Sequence, residues 1–93
     1  MKISEVPLQH HLEGAHAQVL AYLNDRPDEV FGADDFGEIA QALGLTEEEV
    51  AEAVGWLQRE GFMRKARLGR DVWYGCHVAV ETLVSAHPMA IPL

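Results

Sequence analysis

Five of the seven Lys and Arg residues of this chain, Arg59, Arg64, Lys65, Arg67 and Arg70, lie between positions 59 and 70. Guanidinium and ammonium groups packed this closely can neutralise phosphates, and Arg adds paired N–H donors. The opposite chemistry lies immediately upstream. The stretch "TEEEVAEAVGWLQREG", residues 46–61, presents Glu48 and Glu52 on the face away from its apolar stripe. Ten of the fifteen acidic residues fall between Asp28 and Glu60. The net charge of −8, with His neutral, opposes non-specific attraction to nucleic acid. The charge is segregated, however: the middle is acidic and the segment after it is basic.

The remaining reactive side chains form no pattern of known chemistry. His10, His11 and His16 are near one another in sequence, but the spacing of His11 and His16 does not match a zinc pair, and no C-x-x-C is present. Neither a Ser-His-Asp order, nor a phosphate loop, nor a paired-carboxylate cleft is legible. The chain is therefore expected not to be an enzyme and to need no metal or cofactor. Cys76 is the single cysteine and cannot form an internal disulfide, so a reducing, cytoplasmic setting is expected. The first residues, "MKISEVPLQHH", contain no apolar h-region. No run of about 18 apolar residues occurs, so no membrane contact is expected.

Ninety-three residues with 48% apolar side chains fit one domain over 1–93, with a core at about 8–76. From about 8 or 11 to 24 the apolar residues Leu12, Ala15, Val19, Leu20 and Leu23 recur at helical spacing. Pro27 stops that helix. "VFGA" reads as a short strand. A second helix follows, opened by Asp34 and Asp35, with Phe36, Ile39, Ala40 and Leu43 inward and Gly44 as its cap. Thr46 and Glu49 form a capping box for a third helix that buries Val50, Ala53, Val54 and Leu57 and ends at Gly61. Residues 62–67 and 71–76 then flank a turn at Gly69, as in a hairpin. Residues 77–93 are a tail or a short extra element, with strand-like and helix-like spacings both present. The expected fold is α+β and mainly α: a winged helix-turn-helix of three helices plus a C-terminal β-hairpin wing.

The stretch "GLTEEEVAEAVGWLQREGFM", with "AQVLAYLN" upstream, resembles a family of small, stand-alone prokaryotic winged helix-turn-helix proteins. The resemblance rests on Gly55, Trp56, Leu57, Arg59, Glu60 and Gly61 and covers roughly residues 12–76. It implies the fold more strongly than a function, and it implies no enzymatic activity. The long "RPDEVFGADD" connection and the tail after Cys76 depart from the family pattern.

Two functional expectations follow. In the first, Arg59, Arg64, Lys65, Arg67 and Arg70 contact double-stranded DNA in a regulatory, transcription-related role. A thin cationic hairpin suits a minor groove, and a homodimer doubles the contacts. Lys65 and Arg67 share one face, with Arg64 on the other. In the second, Glu48, Glu52 and Trp56 dock a protein with a basic surface, or the apolar tail does. Each has a plainer counterpart: glutamates as solvated helix formers, Trp56 packed on its own fold, cations guarding a sheet edge or salt-bridged to Glu60 or Asp71. Gly55, inside a helix, points to close approach of another backbone or of the wing, or to a tolerated family feature.

Overall fold

In the computed structural model, which describes residues 14–93, the first element is helix α1 (Ala15–Asn24). Its expected beginning upstream, and His10 and His11, lie outside the described residues. Asp25 closes it, its N–H donating to the Ala21 carbonyl at 3.0 Å, and the Arg26 N–H donates to the Leu23 carbonyl at 3.0 Å. Arg26 reinforces this end: Nη1 donates to the Tyr22 carbonyl at 3.1 Å, and the guanidinium lies 3.7 Å from the Tyr22 ring centre. A cation there suits the negative end of the helix dipole.

Strand β1 (Val30–Phe31) leads into a 3-10 turn (Ala33–Asp35) and helix α2 (Phe36–Leu43). Asp35 fixes the entry, its carboxylate accepting the Gly32 N–H at 2.8 Å. At the far end Gly44 has φ 71°, and the Leu45 N–H reaches the Ala40 carbonyl at 2.9 Å. This left-handed cap costs Gly no Cβ clash. Helix α3 (Glu47–Arg59) follows at once. Its capping box is present: Glu49 N–H donates to Thr46 Oγ1 at 3.1 Å, and Thr46 N–H donates to Glu49 Oε1 at 2.9 Å.

The exit from α3 is a Schellman closure. Phe62 N–H donates to the Leu57 carbonyl at 2.8 Å and Gly61 N–H to the Gln58 carbonyl at 3.2 Å, with Gly61 at φ 84°. The hairpin comes next: β2 (Arg64–Leu68) and β3 (Asp71–Gly75); β2 starts later than expected after this closure, and β3 ends one residue early because Cys76 is the N-cap of the next helix. Leu68 pairs with Asp71 across a two-residue turn, and Gly69 has φ 66°. Positive φ at the first turn residue alone is the type II′ pattern, whose twist matches the strands.

Three helices and a hairpin were expected. The described residues contain four α-helices and a four-stranded antiparallel sheet in the order β1-β3-β2-β4. The tail supplies the difference: it forms helix α4 (His77–Ala86) and strand β4 (Ile91–Pro92). Burial explains why. Phe31, Tyr74 and Met63 pack with the core of α1, α2 and α3, which includes Val19, Leu23, Ile39, Val50, Val54 and Leu57. Successive strand residues alternate faces, so Ala66, Gly75 and Val30 point the other way. Ala66 is nevertheless wholly buried, because α4 packs on β2 and β3 and contributes buried Ala79 and Val80. The sheet thus has one face on α1–α3 and the other on α4. Trp73 and Tyr74, on opposite faces of β3, are each half-buried.

Gly75 lies where three segments meet. A Cβ there would stand 2.9 Å from the Glu29 carbonyl oxygen and 3.5 Å from the Ala79 Cβ. Gly75→Ala is expected to destabilise the protein by about 1–3 kcal/mol, as overpacking against backbone does. Urea denaturation checks this, and an unchanged midpoint would mean that the β1–β3 approach has room to spare.

Candidate nucleic-acid interface

The cations predicted as a site occupy two elements. Arg59 sits in the last turn of α3, exposed. Arg64, Lys65 and Arg67 lie on β2, and Arg70 is in the hairpin turn. Arg64, Arg67 and Arg70 are exposed and Lys65 is half-buried. Lys65 and Arg67 share the sheet face that continues from Met63, Tyr74 and Phe31, on the α1–α3 side, while Arg64 is on the α4 side. Among the described residues, none of the five cationic side chains makes an ion pair. The expected bridges to Glu60 and Asp71 are therefore not formed.

The hairpin is not free-standing. β4 pairs along β2, with Ile91 opposite Arg67, Pro92 opposite Ala66, and the Leu93 N–H donating to the Lys65 carbonyl at 2.9 Å. Strands are spaced about 4.8 Å apart, so three strands plus side chains are wider than a minor groove of about 6 Å. Only the turn around Gly69 and Arg70 projects beyond this pairing. The same topology removes the edge-guarding account of Lys65 and Arg67. At those positions β2 is paired on both sides, and the outer strands are β1 and β4.

The acidic residues lie on the helices. Glu47, Glu48 and Glu49 make up the first turn of α3, where carboxylates complement the helix dipole. Glu48 and Glu52 are both exposed. Trp56 is half-buried: its ring stacks on Phe62 at 5.9 Å and 15° and meets the His16 ring at 4.7 Å. It ties α1 to the exit of α3. Gly55 is not explained by close approach of a backbone or of the wing. Among the described residues only Arg59 Nη1, 3.3 Å from the Cβ position, comes within 4 Å, so the Arg59 side chain folds back over its own helix.

The other candidates for chemistry are spread apart. Cys76 caps α4; its Sγ lies 3.4 Å from the Leu23 carbonyl and 3.7 Å from Asn24 Oδ1. Burial pushes its thiol pKa up, which lowers its thiolate fraction. His77 Nε2 lies 3.3 Å from the Gly61 carbonyl. Among the described residues, no group of three or more His, Cys, Asp or Glu could hold a metal ion. Nor is any helix among them long and apolar enough to cross a membrane.

Sequence reasoning did not single out Met89, Ile91 and Leu93 individually. Met89 is 80% exposed, Ile91 46% and Leu93 49%, and Met89 and Ile91 border a shallow groove with Arg67 and Leu68. The apolar tail was the available signal; its pairing beside Arg67 depends on tertiary structure. Comparison with family models, with curated proteins and with solved structures found no match in any of the three.

The Gly55 geometry gives a direct test. Gly55→Ala displaces only the flexible end of Arg59 and is expected to raise stability by about 0.5–1 kcal/mol. A lower urea midpoint in the variant would reveal a close contact that this geometry does not contain.

Proposed function

We propose that this chain is a winged helix-turn-helix module that holds double-stranded DNA through its hairpin, in a regulatory role tied to transcription. The observation that carries the reading is the cation set on the hairpin: Arg64, Lys65, Arg67 and Arg70, largely exposed and making no ion pairs among the described residues. The element order helix, strand, helix, helix, hairpin, with β3 between β1 and β2, supports it. So does the resemblance of "GLTEEEVAEAVGWLQREGFM" to stand-alone prokaryotic winged helix-turn-helix proteins.

The mode is phosphate contact along the groove margin. The width of the β3-β2-β4 unit opposes deep insertion, leaving Arg70 at the tip as the one residue placed to reach inward. Glu48 and Glu52 on α3 repel phosphates and do not match the Arg, Asn and Gln side chains that usually read base edges. Binding is therefore weak, salt-sensitive and led by the hairpin, and a homodimer would double the contacts. With Arg59 included, five phosphate contacts give a logarithmic salt slope of about −4.5.

A second reading has its own observation. The exposed Glu48 and Glu52, beside Trp56, offer a docking face to a protein with a basic surface, and Met89, Ile91 and Leu93 offer an apolar one.

Fluorescence anisotropy of a labelled mixed-sequence duplex at about 50 and 200 mM salt tests the first reading. The expected loss between the two conditions is on the order of 500-fold if all five contacts form. Arg64→Ala, Lys65→Ala, Arg67→Ala and Arg70→Ala combined should remove the binding. Reversing Glu48 and Glu52 to Lys separates the readings: it strengthens duplex binding under the first and abolishes partner binding under the second. A duplex affinity that is absent, or indifferent to salt, would overturn hairpin-led recognition.

A further inference from the structure

Strand β1 stops early. It pairs with β3 only at Val30 opposite Gly75 and Phe31 opposite Tyr74, while β3 runs on to Asp71. Two more residues in this register would bring Gly32 opposite Trp73 and Ala33 opposite Val72, but the chain turns there into the 3-10 segment. The direction of the Val72 backbone follows from the register. The Leu93 N–H donates to the Lys65 carbonyl, so Lys65 and Arg67 aim their backbone groups at β4, and Arg64, Ala66 and Leu68 aim theirs at β3. Ala66 faces Trp73, so Trp73 is turned toward β2, and Val72 and Tyr74 are turned toward the β1 side. Tyr74 meets Phe31 there. Among the described residues, the Val72 N–H and C=O have no partner on that edge.

This open edge faces a cleft of about 480 Å³ between the 3-10 turn and the hairpin, lined in part by Phe36, Trp73 and Tyr74. Its charged lining is Asp34, Asp35 and Asp71 against the single cation Arg70. The Asp35 carboxylate already accepts the Gly32 N–H, whereas Asp34 and Asp71 are exposed. Trp73 lies against Gly32, its ring 3.3 Å from where a Cβ would stand, so the indole forms one wall.

We propose that this cleft binds an extended peptide segment in which an apolar residue is flanked by Lys or Arg. The apolar residue pairs with Val72, continuing the line of β1 and exchanging two backbone hydrogen bonds. Its side chain falls on the Val72 and Tyr74 side, next to Phe36. The flanking residues fall on the opposite face, which Trp73 and Asp71 share. A cation there meets the indole face and the carboxylate together. Charge complementarity selects a basic segment over an acidic one. The peptide site does not rest on the duplex reading, although Arg70 borders both sites.

The test is amide and indole NMR of the full chain, titrated with the capped peptide Ac-Thr-Lys-Val-Lys-Thr-NH2. Two backbone bonds and one cation–aromatic contact support a Kd on the order of 1 mM. Saturable shifts are expected at the Val72 amide and the Trp73 indole N–H. They should vanish when the central peptide nitrogen is methylated, which removes the donor to Val72, and when both peptide lysines are replaced by Glu. Asp34→Asn with Asp71→Asn should weaken binding at least threefold while leaving the other amide signals in place. No saturable shift at up to about 5 mM peptide would overturn the proposal. Equal shifts with the methylated peptide would overturn it as well, because strand pairing would then play no part.

Discussion

The sheet has two faces to keep from water, and most of the structure follows from that constraint. Strand β2 carries Ala66 on one face and continues from Met63 on the other, and both residues are essentially inaccessible. Helices α1 to α3 cover only the Met63 side. The Ala66 side requires a second cover, which α4 supplies with Ala79 and Val80. Once α4 lies across the sheet, the chain returns along β2 and pairs with it. The projecting part of the hairpin is thereby reduced to its turn, and the cations of β2 sit on a supported platform. The surroundings of Lys65 and Arg67 are thus set by an apolar contact on the opposite face of the sheet.

The local parts of this fold were legible in the sequence because their signals are local. The Thr46–Glu49 box, the left-handed Gly44 and Gly61, and the Gly69 turn each depend on residues within a few positions. The tail was not legible. Val78, Val80 and Thr82 alternate as in a strand, while Val80, Leu83 and Val84 suit a helix. Neither pattern decides, because the outcome rests on which surface is there to be covered. β4 is two residues long and contains Pro92, too little for a periodicity. The fold then decides for helix first and strand second, since burying Ala79 and Val80 against the sheet outweighs local preference.

The candidate site divides in the same way. The identities of Arg59, Arg64, Lys65, Arg67 and Arg70, and the split of Lys65 and Arg67 from Arg64 across two faces, followed from composition and alternation. The neighbours did not. Ile91 beside Arg67 and Leu93 beside Lys65 are separated from them by more than twenty residues of chain. The acidity of α3 has a local cause in its first turn, where Glu47, Glu48 and Glu49 favour the positive end of the helix dipole. Glu52, one turn on, lies beyond that influence and keeps the outer face negative. Gly55 was legible as an anomaly, and its explanation is modest: it leaves room for the Arg59 side chain to lie along the helix.

Pro92 has a consequence for how copies of this protein can assemble. It stands opposite Ala66 at a position where the backbone of β4 turns away from β2, between Ile91 and Leu93, which turn toward it. A proline nitrogen carries no hydrogen, so the outward side of β4 offers an acceptor there and no donor. A strand arriving from another molecule would find half of its bonding pattern missing. End-to-end polymerisation of the sheet needs two receptive rims, and one of the two is closed at this point. Apolar side chains can therefore stay exposed on β4 without making the chain a template for fibres.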